Sequence, residues 1–208
     1  MCLSSLQPLP FRVHVVSIVT FADDSKYHVD VGFGGDGATM PLPLEDGLIH
    51  LNLGTQEIRL VRDWIPTQTK RTECSKLWVF QYRNGAGRGW NSFYAFSHEL
   101  EFMQADFEVM NWWTGHNPRF YQTKNAILIK FLRRAAGGEQ SGGVQEIYGK
   151  RMLVNGVIKE NLGGKTRVVE ECKSEEERVE GLEKYFGITL TDEERMGIGG
   201  WATELRST

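Results

Sequence analysis

The sequence predicts an α+β fold, on three observations. From Phe11 to Phe102, short runs of β-branched and aromatic residues follow one another, broken by Gly, Asp, Asn or Ser. From Gln104 the apolar spacing becomes helical, and strand-like and helical runs then alternate. The clearest helix comes late, in "SEEERVEGLEKYFG", Ser174–Gly187. The first half, residues 1–102, is expected to be an antiparallel β-barrel or sandwich. Residues 103–208 are expected to form a mixed α/β domain.

Each element has its own signal. "FRVHVVSIVTF" (Phe11–Phe21) is a strand by its β-branched content, "ADDSK" is turn-like, and "YHVDVGF" (Tyr27–Phe33) is a second strand, so the pair predicts a hairpin. "LIHLNLG", "QEIRLVRDW", "KLWVFQYR" and "WNSFYAFSHELEF" continue the sheet, with "NGAGRG" (Asn84–Gly89) a plain loop. In "QADFEVMNWWTGHNP", Phe107, Met110 and Trp113 recur at helical spacing until Asn117-Pro118 stops the helix. "NAILIKFLRR" and "VQEIYGKRMLVNG" predict strands joined by a flexible loop, Ala135–Gly143, and "KTRVVEE" predicts another strand. In the late helix Ser174 and Glu177 form a capping box, Val179, Leu182 and Phe186 share a face, and Gly187 closes it; Thr191 and Glu194 repeat the capping pattern. No repeat of fixed period appears. Because a strand begins near Arg12 with no helix before it, the chain is expected to start inside a larger fold.

Composition narrows the function. The 208 residues are 40% hydrophobic and 25% charged, ordinary for a globular protein, with net charge −3 and a pI of about 6.0. No Lys/Arg stripe is present, so neither nucleic acid nor an anionic membrane is expected as a partner. No apolar stretch approaches the roughly 18–20 residues that span a bilayer, and no basic-then-apolar leader opens the chain. Cys2, Cys74 and Cys172 are widely spaced and form no CxxC pair, which argues against zinc and against a disulfide framework. A reducing, cytoplasmic setting is expected. His50, His98 and His116 are isolated and lack metal-ligand spacing, so no metal is expected. Trp64, Trp78, Trp90 and Trp112 fit core or lid packing. The charge-rich "ECKSEEERVEGLEK" fits a solvated helix face.

The first hairpin carries the candidate chemistry. Side chains alternate along strands, so His14 shares a face with Val16, Ile18 and Thr20, and Asp30 shares one with His28 and Gly32. If the turn centres on Ala22, His14 faces Asp30 directly. If it centres on Asp24, Asp30 faces Ile18 and His14 lies further along the same face. Parity keeps the two on one face either way, but the register stays open. A catalytic pair would use the carboxylate to hold the imidazole in one tautomer and so activate a Cys or Ser nucleophile. The plainer arrangement is a strand-end histidine with an aspartate bound to turn amides, and by pattern alone it is the more frequent. His28 has the parity of Asp30, but a mid-strand histidine is usually a packing residue.

The glycine run "GFGGDG" after Asp30 has three readings: an anion-binding loop, a turn that needs φ > 0, or backbone making room for a substrate. No GK[ST] follows, and the two prolines of "ATMPLPL" preclude a helix start, so it matches neither nucleotide fingerprint.

Taken together, "HVVSIVTF", "YHVDVGFGG…PLPL", "DFEVMNWWTGHNPRFYQTK" and "YFGITLTDEE" occur in the order found in the arylamine N-acetyltransferase family, which the chain resembles from about Arg12 onward. The resemblance implies a helical bundle, then a β-barrel, then an α/β lid, within the transglutaminase- and papain-like Cys-His-Asp superfold; this chain would lack the bundle. It implies two-step acetyl transfer: a cysteine thiolate takes acetyl from acetyl-CoA, and an arylamine, arylhydrazine or N-hydroxyarylamine then takes it from the cysteine. By the same resemblance His14 would be the base and Asp30 its orienter. Phe33 would line the acceptor pocket, with Gly32 and Gly34 letting the backbone approach. Trp113 and the stretch from Arg119 would lie near CoA. Arg119 departs from the family, in which a small hydroxyl residue is common there, yet a cation can still pair a phosphate.

The largest departure is the nucleophile. The family's cysteine sits in an Arg-Gly-Gly-x-Cys context at the head of a helix well upstream of the histidine, and only thirteen residues precede His14. Cys2 lacks that context, and Cys74 and Cys172 fit passive roles. The chain is therefore expected to be inactive alone, with a longer gene product supplying the thiol, and to expose apolar surface where the bundle would pack. The alternative is a non-catalytic remnant that binds CoA-like or aromatic ligands or regulates an intact relative.

Overall fold

A computed structural model describes residues 14–136 and 145–205. They form two compact units that divide between Phe107 and Glu108. The class is α+β, but the expected barrel is not closed.

The first unit holds two open antiparallel sheets. One runs β1 (Ser17–Thr20), β2 (Lys26–Val29), β3 (Leu42–Pro43); the other runs β4 (Ile49–Leu51), β5 (Gln56–Asp63), β6 (Leu77–Asn84), β7 (Asn91–Phe96). The reason for the opening is chemical. The Leu44 amide donates to Lys26 O of β2 at 2.9 Å, so by alternation the amide positions of residues 41 and 43 face away from β2. Both residues are proline, and that edge of β3 has no donors with which to continue a ladder.

The two sheets share one core of Leu42, Ile58, Leu60, Trp78, Phe80, Tyr94 and Phe96, with Val16, Ile18 and Phe33 packed against it. Period-2 patterning builds it: along β5, Gln56, Ile58 and Leu60 are buried while Glu57, Arg59 and Val61 are half-buried. On the other face of this sheet the Arg59 and Arg83 guanidiniums lie 4.0 and 4.5 Å from the centre of the Trp90 ring, so Trp90 is a cation–π platform and not a core residue. The outer face of the first hairpin is apolar and open: Val15, Val19, Phe21 and Val31 are exposed, Val31 at 97%.

The second unit opens with most of α1 (Gln104–His116) and a short α2 (Tyr121–Lys124). Its sheet has the order β11-β10-β9-β8, from β8 (Ile127–Ala135), β9 (Gln145–Val154), β10 (Val157–Asn161) and β11 (Arg167–Glu171). Then come α3 (Glu175–Gly181), a π-helical turn (Leu182–Phe186) and α4 (Asp192–Met196). Leu153, Ile158, Cys172 and Phe186 form the core. The late helix thus widens where a regular helix is expected; the Tyr185 and Phe186 carbonyls at its end accept from Arg151 (3.2 Å) and Lys130 (2.9 Å) on the sheet, and Gly187 closes it at φ 71°. The Ser174 capping box forms by halves: the Ser174 hydroxyl accepts from the Glu177 amide, while the Glu177 carboxylate takes the Lys173 amide. The Thr191–Glu194 box is complete. Trp112, expected in a core or lid, is 62% exposed on α1. The expected flexible loop lies outside the described residues from residue 137 on, as does Cys2.

Candidate functional site

The site begins with the register of the first hairpin. Ser17 pairs with Val29 and Ile18 with His28, midway between the two registers that the sequence leaves open. Continued past the ladder, that register sets His14 opposite Gly32 and Asp30 opposite Val16, so the imidazole reaches the carboxylate diagonally, as same-face neighbours do. His14 Nε2 lies 2.7 Å from Asp30 Oδ2. A side chain added at Gly32 would touch His14 Cε1 at 3.8 Å.

Asp30 accepts four hydrogen bonds. Oδ2 takes His14 Nε2 and, at 2.6 Å, the Tyr94 hydroxyl. Oδ1 takes the amides of Gly32 (3.0 Å) and Phe33 (3.1 Å), the geometry of an Asx turn. Its side chain is fully buried. Burial pushes its pKa up, yet the bonds from His14 and Tyr94 outweigh burial and hold the carboxyl below its ordinary value. An ionised carboxylate has only lone pairs, so His14 must present Nε2–H to it. That leaves Nδ1 of His14 as the basic nitrogen.

The neighbours are aromatic. Phe33 meets His14 edge-on, ring centres 5.2 Å apart, and packs on Phe93 and Tyr94 at 4.9 and 5.1 Å. Gly34 takes φ 86°, which only glycine adopts at little cost. Asn52 clamps the rest of the turn: Oδ1 accepts from the Thr39 amide at 2.9 Å, and Nδ2 donates to Gly37 O at 3.0 Å. Behind Asp30, Tyr94 also lies 2.9 Å from His28 Nε2, and His28 is fully buried.

The structure therefore brings His14, Asp30, Gly32 and Phe33 together, with Gly34 completing the turn. Trp113 and Arg119 lie on α1 and just after it, in the second unit, and both are exposed. Tyr94 is the residue that sequence reasoning misses. Its signal is a phenol on the core-facing side of β7, alternating with Phe96, where a buried hydroxyl needs a partner. Cys74 is exposed, in a 3-10 turn (Glu73–Ser75), with its sulfur 3.2 Å from the Thr72 hydroxyl. Cys172 is buried in the second unit, where burial and then Glu170 push its thiol pKa up. Among the described residues no group of three or more His, Cys, Asp and Glu is arranged to hold a metal, and no helix is long and apolar enough to cross a membrane.

Comparison with known proteins points the same way. A family model described as N-acetyltransferase matches residues 4–195. The N-malonyltransferase FDB2 of Fusarium pseudograminearum is 34% identical over 192 residues, covering 89% of this chain and 53% of that protein. The arylamine N-acetyltransferase of Escherichia coli is 28% identical over 130 residues, covering 62% of this chain and 41% of that one. The chain thus spans about half the length of the curated relatives it matches. In fold it is similar to the arylamine N-acetyltransferase of Salmonella typhimurium, with TM-score 0.66, 23% identity, and coverage of 88% of this chain and 56% of that one. It is likewise similar to the arylamine N-acetyltransferase of Mycobacterium marinum solved in complex with CoA, with TM-score 0.64, 24% identity and the same coverage of 88% and 56%.

Proposed function

The chain belongs to the N-acetyltransferase family, and from that premise we propose that it carries the base and the orienting carboxylate of a thiol-dependent acyl transfer from a CoA thioester to an aromatic amine or hydrazine. The observation that carries the reading is the His14–Asp30 hydrogen bond of 2.7 Å, made to a carboxylate that three other donors hold in place. Such a carboxylate keeps the proton on Nε2 of His14, frees Nδ1 to take a thiol proton, and stabilises the imidazolium that results. The thiolate attacks the acyl carbonyl of the CoA thioester; CoA leaves as the thiol, protonated by the imidazolium. The amine then attacks the acyl-cysteine, His14 takes the amine's proton, and the amide leaves the thiolate behind. Two thioester steps replace one difficult transfer.

In this reading the nucleophile is a cysteine outside residues 14–205, because Cys172 is a poor thiolate former and Cys74 is hydrogen-bonded within its own turn. Because Cys2 lacks the Arg-Gly-Gly-x-Cys context, the 208 residues alone would be inactive. Gly32, Phe33 and Gly34 line the acceptor side, and Trp113 and Arg119 serve CoA, in a cytoplasmic setting. The acyl group is acetyl by the family's description. A malonyl donor is the second reading, favoured by the 34% identity to a protein named as an N-malonyltransferase.

The test uses the complete reading frame, offered acetyl-CoA and malonyl-CoA in parallel with an arylamine. Mass spectrometry should find an acylated cysteine, and the heavier adduct should form faster if malonyl is the donor. His14→Ala and Asp30→Asn should each slow transfer on the order of 10²–10⁴-fold. Undiminished transfer in either variant overturns the proposal, and turnover by the 208 residues alone overturns the inactivity; loss of that turnover in Cys2→Ala would make Cys2 the nucleophile.

A further inference from the structure

Behind the carboxylate lies a second histidine. We propose that His28 is a positioning residue: it donates Nε2–H to the Tyr94 hydroxyl oxygen and so keeps that hydroxyl's single proton on Asp30. The functional side of this inference rests on reading Asp30 as the orienter of His14.

The hydrogen assignment follows from counting protons. Asp30 Oδ2 can only accept, and it lies 2.6 Å from the Tyr94 oxygen, so the phenol's one proton is committed to it. At 2.9 Å from His28 Nε2, the same oxygen can then only accept. His28 must therefore carry its proton on Nε2, with Nδ1 bare. Nδ1 is buried and has no hydrogen-bond partner among the described residues, which suits a lone pair and would strand an N–H. The ring is fully buried between Phe96, stacked at 4.9 Å, and Phe80 at 6.1 Å. Ile18 faces it from β1 and Leu42 from β3. The titratable groups around it are Asp30, His14 and Tyr94. Burial dominates and pushes its pKa down to about 4, with Asp30 raising and His14 lowering it.

The consequence is directional. With the other tautomer, His28 Nε2 would be an acceptor competing for the Tyr94 proton, and Asp30 Oδ2 would lose one of its two donors. The His14–Asp30 bond is thus braced through Tyr94 by a group that touches neither His14 Nδ1 nor any reacting atom.

Long-range ¹H–¹⁵N NMR on the 208-residue chain reads the tautomer directly. His28 should show a protonated Nε2 and a bare Nδ1 down to about pH 5. A proton on Nδ1 instead, or an imidazolium at that pH, overturns the proposal without any variant having to fold. His28→Phe keeps the aromatic packing and removes the donor. It should speed solvent exchange of the Tyr94 hydroxyl proton by about tenfold, the scale of one buried hydrogen bond. His28→Gln, which can donate again, should restore most of that protection; equal exchange in wild type and His28→Phe overturns the brace. In the complete reading frame, His28→Phe should slow acyl transfer in the wild-type background and have no further effect in Tyr94→Phe. Additive losses would mean that His28 acts by another route. Normal transfer in Asp30→Asn with the His28 tautomer as stated would sink the proposed function alone.

Discussion

At the scale of single residues, Asp30 does two jobs that compete when the sequence is read by itself. Oδ1 closes the Gly32–Phe33 turn and Oδ2 holds His14. One carboxylate therefore both binds the turn amides and holds an imidazole, and the turn is what aims the second oxygen. This predicts an outcome for Asp30→Asn. The two backbone amides will hold the side-chain oxygen, which turns the NH₂ toward His14 and Tyr94. A donor opposite Nε2 forces His14 into the Nδ1–H tautomer, which cannot accept a proton from a thiol at that nitrogen. NMR of the variant should show the His14 proton on Nδ1 where wild type has it on Nε2; an unchanged tautomer would mean that the amides do not orient the side chain. His14, Asp30 and the glycine turn are legible in sequence because alternation and turn chemistry are local. Tyr94 is 64 positions from its partner Asp30, so only the fold brings the two together.

At the scale of elements, parity settles which residues share a face but not which ones meet. The sequence leaves the turn centre open between Ala22 and Asp24, with the polar cluster hinting at Asp24, and the observed register lies between them because the tight turn closes with the Phe21 amide on Ser25 O at 2.9 Å. The β9–β10 hairpin shows a different limit. "LVNGVIKEN" holds an Asn-Gly pair between apolar runs, a strong hairpin signal, yet β10 is short and easily absorbed into the loop that follows. Its corner is tight. A Cβ at Gly156 would lie 2.5 Å from Cys172 O and 3.2 Å from Leu205 Cδ1, and Gly156 O accepts the Cys172 amide at 2.7 Å. Since the nearest atom is backbone, no side-chain rotation relieves the clash. Gly156→Ala should destabilise the second unit by about 1–3 kcal/mol. Gly164→Ala, with no atom of the described residues within 4 Å of its Cβ, should change it by no more than about 0.5 kcal/mol. Urea midpoints of the two variants decide; equal midpoints would mean that the corner relaxes freely.

At the scale of the whole molecule, the polar chain that runs from His28 through Tyr94 to Asp30 ties stability to pH through the core of the first unit. The His28 pKa is about 4 when folded against 6.5 for an unperturbed histidine. Between those values the unfolded chain holds a proton that the folded chain does not, so stability is greatest above about 6.5 and falls as pH drops toward 4. One pKa unit is about 1.4 kcal/mol, which puts the loss at about 3–4 kcal/mol once pH is below both values. His98, whose pKa is lowered by burial and then by Arg62, adds to the loss in the same direction. Asp30 acts in a lower window. Its folded pKa lies below its unfolded one, so its contribution is present above the unfolded value of about 3.9 and disappears as pH falls through the folded value. Acid should therefore weaken the first unit in two stages, histidine first and carboxylate second. The methyl resonances of Ile58 and Leu60, both fully buried in that core, report its unfolding in urea at each pH. Wild type should lose stability between pH 6.5 and 4, and His28→Phe should lose distinctly less over the same interval while keeping the lower stage. A variant that parallels wild type throughout would mean that His28 takes up its proton in the folded core, and the brace behind Asp30 would then have a different polarity from the one its distances imply.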